Sequence, residues 1–198
     1  MTMPSLQITA VTGSQIAEHT DALAELRIAV FREWPYLYEG STEYERKYLK
    51  RYAACPQSIV VLARDGNRIV GASTGLPLGQ ADADFQKPFE TSDVPVDEVY
   101  YFGESVLLPE YRGQGTGHHF FELREQQARA CGASVAAFCA IDRDPNDARR
   151  PASYRPLDAF WRKKGYIRHP EMSARFDWRE LGQTVESSHT LSFWLKQL

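Results

Sequence analysis

The segment VYYFGESVLLPEYRGQGTG, from Val99 to Gly117, joins an apolar run to a glycine-rich turn and the start of a helix. Val99–Leu108 is rich in β-branched and aromatic residues, the composition of a buried strand. Gly113, Gly115 and Gly117 then let the backbone come close to a ligand and adopt positive φ where a tight turn needs it. The helix that follows, from about His118 to Ala130, presents the free N–H groups of its first turn and the positive end of its dipole to that loop. Strand, glycine turn and helix N-terminus in this order make a site for a phosphate or pyrophosphate. A Walker A loop would need a Lys after its last glycine, and none is present. A dinucleotide fingerprint would run G-x-G-x-x-G near the first strand, whereas these glycines run G-x-G-x-G in mid-chain. On the glycines alone, a turn that binds nothing remains the alternative.

Outward from this segment the chain alternates short strands and helices. Leu6, Ile8 and Ala10 have the period of a strand, and Thr12-Gly13-Ser14 offers a turn and helix cap. Ile16, Leu23, Leu26 and Val30 then recur at helical spacing up to Trp34-Pro35. Ser41 caps a second helix with Tyr44, Tyr48 and Tyr52 on one face. Ser58–Arg64 and Arg68–Leu78 flank Asp65-Gly66-Asn67 as a hairpin. Ala81–Val96 is a polar connection with room for one short helix around Ala83–Phe89. Beyond Gly132, Ser134–Ile141 is a buried strand, Asp142–Arg155 a charged loop, and Leu157–Lys164 a helix closed by Gly165. Two strands finish the chain, with Ala174, Phe176 and Trp178 alternating in the first and Leu191, Phe193 and Leu195 in the second. The order β-α-α-β-β-β-α-β-α-β-β predicts a mixed, mostly antiparallel α/β sheet with helices on both faces.

With 43% hydrophobic and 25% charged residues over 198 positions, the chain can bury one sizeable core, so a single domain over 1–198 is expected. A net charge of −3 argues against a nucleic-acid partner. No apolar run reaches the length of a membrane span, and MTMPSLQITA lacks the layout of a signal peptide, so no membrane role and a cytoplasmic location are expected. Cys55, Cys131 and Cys139 have no CxxC spacing and read as reduced thiols, and no His/Cys/Asp cluster has metal-ligand spacing.

The sequence resembles the GNAT acetyltransferases. Arg112-Gly113-Gln114-Gly115-Thr116-Gly117 matches their Arg/Gln-x-x-Gly-x-Gly/Ala signature, with Leu107-Leu108-Pro109-Glu110-Tyr111 as the lead-in. Phe160-Trp161-Arg162-Lys163-Lys164-Gly165-Tyr166 is similar to their late helix. The resemblance implies acetyl-CoA as co-substrate, with backbone amides from Arg112 to His118 (Gly113, Gln114, Gly115, Thr116 and Gly117 between them) on its pyrophosphate. It further implies that main-chain groups of Val106 and Leu107 pair with the pantetheine arm where the strand splays from Ser134–Ile141, and that an amide near Val106 polarises the thioester.

Several family members keep a carboxylate base where Glu104 stands, and a charge amid apolar neighbours is costly to bury without a purpose. The family's late-helix Tyr is replaced by Trp161, which has no titratable proton to give, and the usual Asn is missing near Tyr154. Tyr154 and Tyr166 are therefore the candidate acids for the leaving thiolate. An acyl-cysteine route through Cys139 finds no activating His nearby. The implied reaction is direct transfer of acetyl from acetyl-CoA to a primary amine of a small molecule. A protein lysine or N-terminus is the alternative acceptor, and a non-catalytic acyl-CoA-binding module the alternative class. Arg32–Glu39, aromatic and mixed in charge, is consistent with an acceptor-site wall and equally with a packed inter-helix turn. Asp142–Arg155 reads first as a solvated charged loop, with an opposite wall or a reach to an anionic acceptor as the alternative. Exposed aromatics on the last two strands would suit a homodimer.

Overall fold

The computed structural model describes residues 6–198, so Met1–Ser5 of the N-terminal segment lie outside it. Strand β1 (Gln7–Thr12) leads through a 3-10 turn (Gly13–His19) into helix α1 (Thr20–Phe31) and then α2 (Thr42–Ala54). Ile16 thus belongs to the turn, and α1 starts later than its apolar spacing predicts. Ser41 caps α2 by accepting from the Tyr44 amide at 3.3 Å. Tyr48 and Tyr52 turn into the core while Tyr44 stays exposed. The hairpin β2 (Ile59–Asp65) and β3 (Arg68–Pro77) turns at Gly66, whose φ is +56°. After the short helix α3 (Ala83–Glu90) come β4 (Val99–Leu107), α4 (Thr116–Ala130), β5 (Val135–Ile141), α5 (Asp158–Lys163), β6 (Ile167–Trp178) and β7 (Ser187–Gln197).

The seven strands form one sheet in the order β1-β2-β3-β4-β5-β7-β6, antiparallel at every junction except β4–β5. Its two faces carry separate cores, because alternate side chains of a strand point to opposite faces. On one face Leu23, Leu49, Leu62, Tyr101 and Phe193 pack beneath α1, α2 and α3. On the other Val61, Tyr100, Phe102, Phe138 and Trp194 pack beneath α4 and α5 with Phe120, Phe121 and Phe160. The aromatics of β6 and β7 are spent inside these layers, Phe193 and Trp194 fully and Phe176 and Trp178 in part. Fully exposed aromatics, the feature that suggested a homodimer, are thus not what the described residues of β6 and β7 present.

Candidate active site

Two irregularities of β4 build the site. Ser73 faces Ser105 and Gly75 faces Phe102, so β4 spends one residue more than β3 between these pairs, a β-bulge. Tyr100 and Phe102 point toward α4, but beyond the extra residue Glu104 and Val106 point toward α1 and α2. Without the bulge Glu104 would lie on the opposite face. The bulged backbone is held from below by Arg124, fully buried, whose Nη1 donates to the carbonyls of Thr74 and Glu104 at 3.2 Å each and whose Nη2 donates to Ser105 Oγ at 2.8 Å. Burial pushes the Arg124 guanidinium down to about 10. Gly103 is obligatory here, since a Cβ would meet Tyr52 Oη at 2.1 Å and Thr74 Oγ1 at 2.5 Å.

The second irregularity is a parting of strands. Pairing of β4 with β5 ends at Tyr101–Ala137, although β4 runs on to Leu107 and β5 to Ile141. A V-shaped opening lies between them. Leu108 N–H donates to the Val70 carbonyl at 2.9 Å, which fixes the hydrogen-bonding phase of β4 against β3. In that phase Val106, opposite Ala72, directs its main-chain groups at β3, while those of Ser105 and Leu107 face the opening. The outward orientation expected of Val106 thus belongs to Ser105. Leu107 keeps the expected orientation, and its carbonyl receives Arg112 Nε at 2.9 Å.

At the mouth of the opening stands the glycine turn. Gly113 and Gly115 have φ of +76° and +86°, and a Cβ on either would meet nothing within 4 Å, so backbone conformation and open access explain both glycines. Arg112 N–H donates to the Pro109 carbonyl and His118 N–H to that of Gly115. The two ends of the expected amide set are thus engaged within the turn. Among the described residues the amides of Gly113, Gln114, Gly115, Thr116 and Gly117 have no such acceptor. The His118 ring instead stands edge-on to Phe160 at 5.1 Å.

Glu104 is buried, and its Oε2 accepts from Arg27 Nη1 at 2.6 Å and from Tyr48 Oη at 3.1 Å. Arg27 also pairs with the fully buried Glu45 and lies over the rings of Tyr48 and Phe31 at 4.2 and 5.1 Å. Burial alone would lower the pKa of this guanidinium, but Glu104, then Tyr48 and Glu45, hold it well above the usual arginine range. Burial and then Glu104 raise the Tyr48 phenol well above the ordinary tyrosine value.

The two segments weighed as acceptor walls are joined. Arg143 donates to the carbonyls of Pro35 at 2.6 Å and Tyr36 at 3.1 Å, and pairs with the buried Glu180 at 2.5 Å. Tyr154 stands edge-on to Trp34 at 6.3 Å, and burial raises its phenol. Tyr166 lies on the opposite face of the sheet, packed on Phe121 and Phe138 with its hydroxyl donating to Glu125 at 3.0 Å. Of the two candidate phenols, only Tyr154 is on the wall.

Arg27, Glu45, Tyr48 and Arg124 escaped the sequence reading as site residues. A signal for the two arginines existed. Arg27 falls between Leu23 and Val30 on the apolar stripe of α1, and Arg124 between Phe120 and Ala128 on that of α4, where a charge needs a buried partner. No group of three or more His, Cys, Asp and Glu among the described residues could hold a metal. None of the described helices is long and apolar enough to cross a membrane.

The fold is that of solved acetyltransferases. It matches yncA of Salmonella typhimurium, a structure holding acetyl-CoA, with TM-score 0.58 at 13% identity over 98% of this chain and 94% of that one. A ribosomal-protein-alanine N-acetyltransferase from Brucella melitensis matches with TM-score 0.59 at 14% identity over 98% and 100% of the chains. An N-acetyltransferase from Staphylococcus aureus Mu50 matches with TM-score 0.60 at 10% identity over 98% of each. No curated protein matches the sequence significantly. The model of the acetyltransferase (GNAT) family matches residues 23–152, from within α1 to the loop after β5. The chain belongs to this family, whose co-substrate is acetyl-CoA.

Proposed function

We propose that the protein transfers the acetyl group of acetyl-CoA directly to a primary amine of a small molecule, both bound at once. The observation that carries this reading is the parting of β4 and β5, which sets a free strand edge, an anion-binding turn and the Glu104 face around one opening. The residues suit acetyl-CoA: five amides from Gly113 to Gly117 await an acceptor, as a pyrophosphate requires, and Ser105 and Leu107 offer main-chain groups to an extended amide-bearing arm. Bound acetyl-CoA supplies the acetyl group as an activated thioester.

The outward N–H of Ser105 is the donor for the thioester carbonyl. Glu104 receives the acceptor's proton through a water, because its Oε2 is already engaged by Arg27 and Tyr48. Tyr154 is the proton donor for the departing thiolate, and Tyr166 has a packing role. The bond between Arg143 and the Pro35–Tyr36 segment draws the two walls together, which favours a small acceptor over a peptide. Thiol release from acetyl-CoA across amines, amino acids and peptides tests the reading. With the best acceptor, Glu104→Gln is expected to lower kcat by about 10²–10⁴-fold, with CoA affinity retained. A variant with full kcat and an unchanged pH profile would remove Glu104 as the base. Tight CoA binding with no turnover of any amine would favour a binding module.

A further inference from the structure

The loop between β5 and α5 carries four arginines with two different fates. Arg143 and Arg149 are both taken by Glu180. Arg149 also grips Asp147 through Nε to Oδ1 at 3.0 Å and Nη2 to Oδ2 at 2.7 Å. The neighbouring Asp142 and Asp158 partner Arg168 and Arg162. Arg150 and Arg155 make no ion pair among the described residues, and Met1–Ser5 contain no carboxylate to supply one. Arg150 donates to the Pro145 carbonyl at 3.1 Å and lies over the Tyr154 ring at 5.6 Å. Arg155 makes only two bonds of 3.4 Å, to the carbonyls of Ala152 and Tyr154.

These two guanidiniums line a cavity of about 360 Å³ together with Asn146, Asp147, Pro151 and Tyr154. Asp147 is the cavity's one carboxylate, and Arg149 already neutralises it. The cavity is thus net cationic, with several guanidinium donors unspent. The Glu180 clamp pins the stretch from Arg143 to Arg149, which carries Asn146 and Asp147 of the cavity, before any ligand arrives. Tyr154 is shared: it lines the cavity and also stands edge-on to Trp34 of the candidate acceptor wall.

We propose that this cavity is the subsite for an anionic group, carboxylate or phosphate, carried by the same small molecule whose amine is acetylated. The acceptor is then an amine with an acid group remote from, or adjacent to, its reacting nitrogen, drawn in by Arg150 and Arg155. This inference rests on the acetyl-transfer reading above.

Two measurements test it on the full chain. In the first, inorganic phosphate is titrated by calorimetry into protein saturated with CoA, which occupies the glycine turn. The wild type should bind, and the doubly substituted Arg150→Gln, Arg155→Gln chain should bind about 10-fold or more weakly, the usual worth of charge-assisted hydrogen bonds. Arg155 is exposed and Arg150 half-buried on the loop, and a melt of the variant checks that it folds. In the second, thiol release is compared for amino acids and their amides, which share a skeleton and differ in the anion. The wild type should favour the acids in kcat/KM by about 10-fold or more, and in the double variant the ratio should fall to near one. No phosphate binding by the wild type overturns the subsite whatever the activity shows. Phosphate binding without preference for acids overturns its assignment to the acceptor. If the double variant instead loses affinity for CoA but not for dephospho-CoA, the cavity belongs to the cofactor's 3′-phosphate and the proposal falls. If phosphate binds but no amine is acetylated, it is the acetyl-transfer reading that fails, and the acceptor assignment goes with it.

Discussion

Cys139 lies on β5 beside the opening, with its thiol 3.3 Å from the Tyr101 hydroxyl. Burial pushes this thiol up to about 12, so almost none is thiolate at neutral pH, and the thiolate is the nucleophile. Cys139→Ser is expected to keep most of kcat, and the intact mass of wild-type protein incubated with acetyl-CoA should show no acetyl adduct. An adduct mapped to Cys139 would revive the covalent route. The pKa shift also sets an alkaline limit. The folded value lies above the unfolded one, so the contribution of the neutral thiol is complete below about pH 9 and is lost as pH rises toward 12. Urea melts across that window should fall less steeply for Cys139→Ser than for the wild type. At this scale Glu104 was legible in the sequence as a charge set among apolar residues, while its pairing with Arg27 was not. Arg27 lies 77 positions before it and Glu45 59 before it, and only the packing of α1 and α2 on the sheet brings the three together.

Element by element, the glycine turn, the hairpin and the late strands follow from local chemistry: positive φ at Gly66, Gly113 and Gly115, and alternation along β6 and β7. The β4 bulge does not, because it reflects the close approach of Tyr52 and Thr74 to Gly103, a contact between distant segments. The same hidden register moved the outward main-chain groups from Val106 to Ser105. Gly115→Val tests the turn. A branched side chain at φ +86° is strained, and it would project into the open space before the amides. The expected outcome is a folded protein with CoA affinity reduced beyond calorimetric detection, and an unchanged Kd would make the turn merely a connection. The clamp between loop and strands depends on Glu180. Burial would raise its carboxyl pKa, but hydrogen bonds from Arg149 and Arg143 hold it below the ordinary value. Its contribution is therefore complete above about pH 4.5 and is lost as pH falls through the lowered folded value. Glu180→Gln should cost about 3 kcal/mol, near the lower end for a broken buried pair because Arg149 is 45% exposed. Chemical denaturation at pH 7 measures that loss, and the difference between variant and wild type should narrow in acid.

At the scale of the whole molecule, the two core layers are complete without a ligand, while the opening between β4 and β5 leaves polar main-chain groups on Ser105 and Leu107 with no strand to face. A co-substrate that fills this opening joins the β1–β4 half of the sheet to the β5–β7 half beyond their three-residue contact at Val99–Tyr101. Binding to the folded state alone stabilises it by mass action, about 2.7 kcal/mol at a free concentration 100 times Kd. For a chain of 198 residues that corresponds to a rise in Tm of about 5–10 °C. Melts with CoA, acetyl-CoA, NAD and ATP separate the contributions. NAD shares the pyrophosphate but lacks the pantetheine arm, so it reaches the turn and leaves the strand edge empty. CoA and acetyl-CoA should therefore shift Tm fully, and NAD and ATP at equal concentration by far less. Equal shifts with all four would mean that the turn alone binds and the opening contributes nothing. A shift with NAD or ATP and none with CoA would take the opening away from acetyl-CoA altogether.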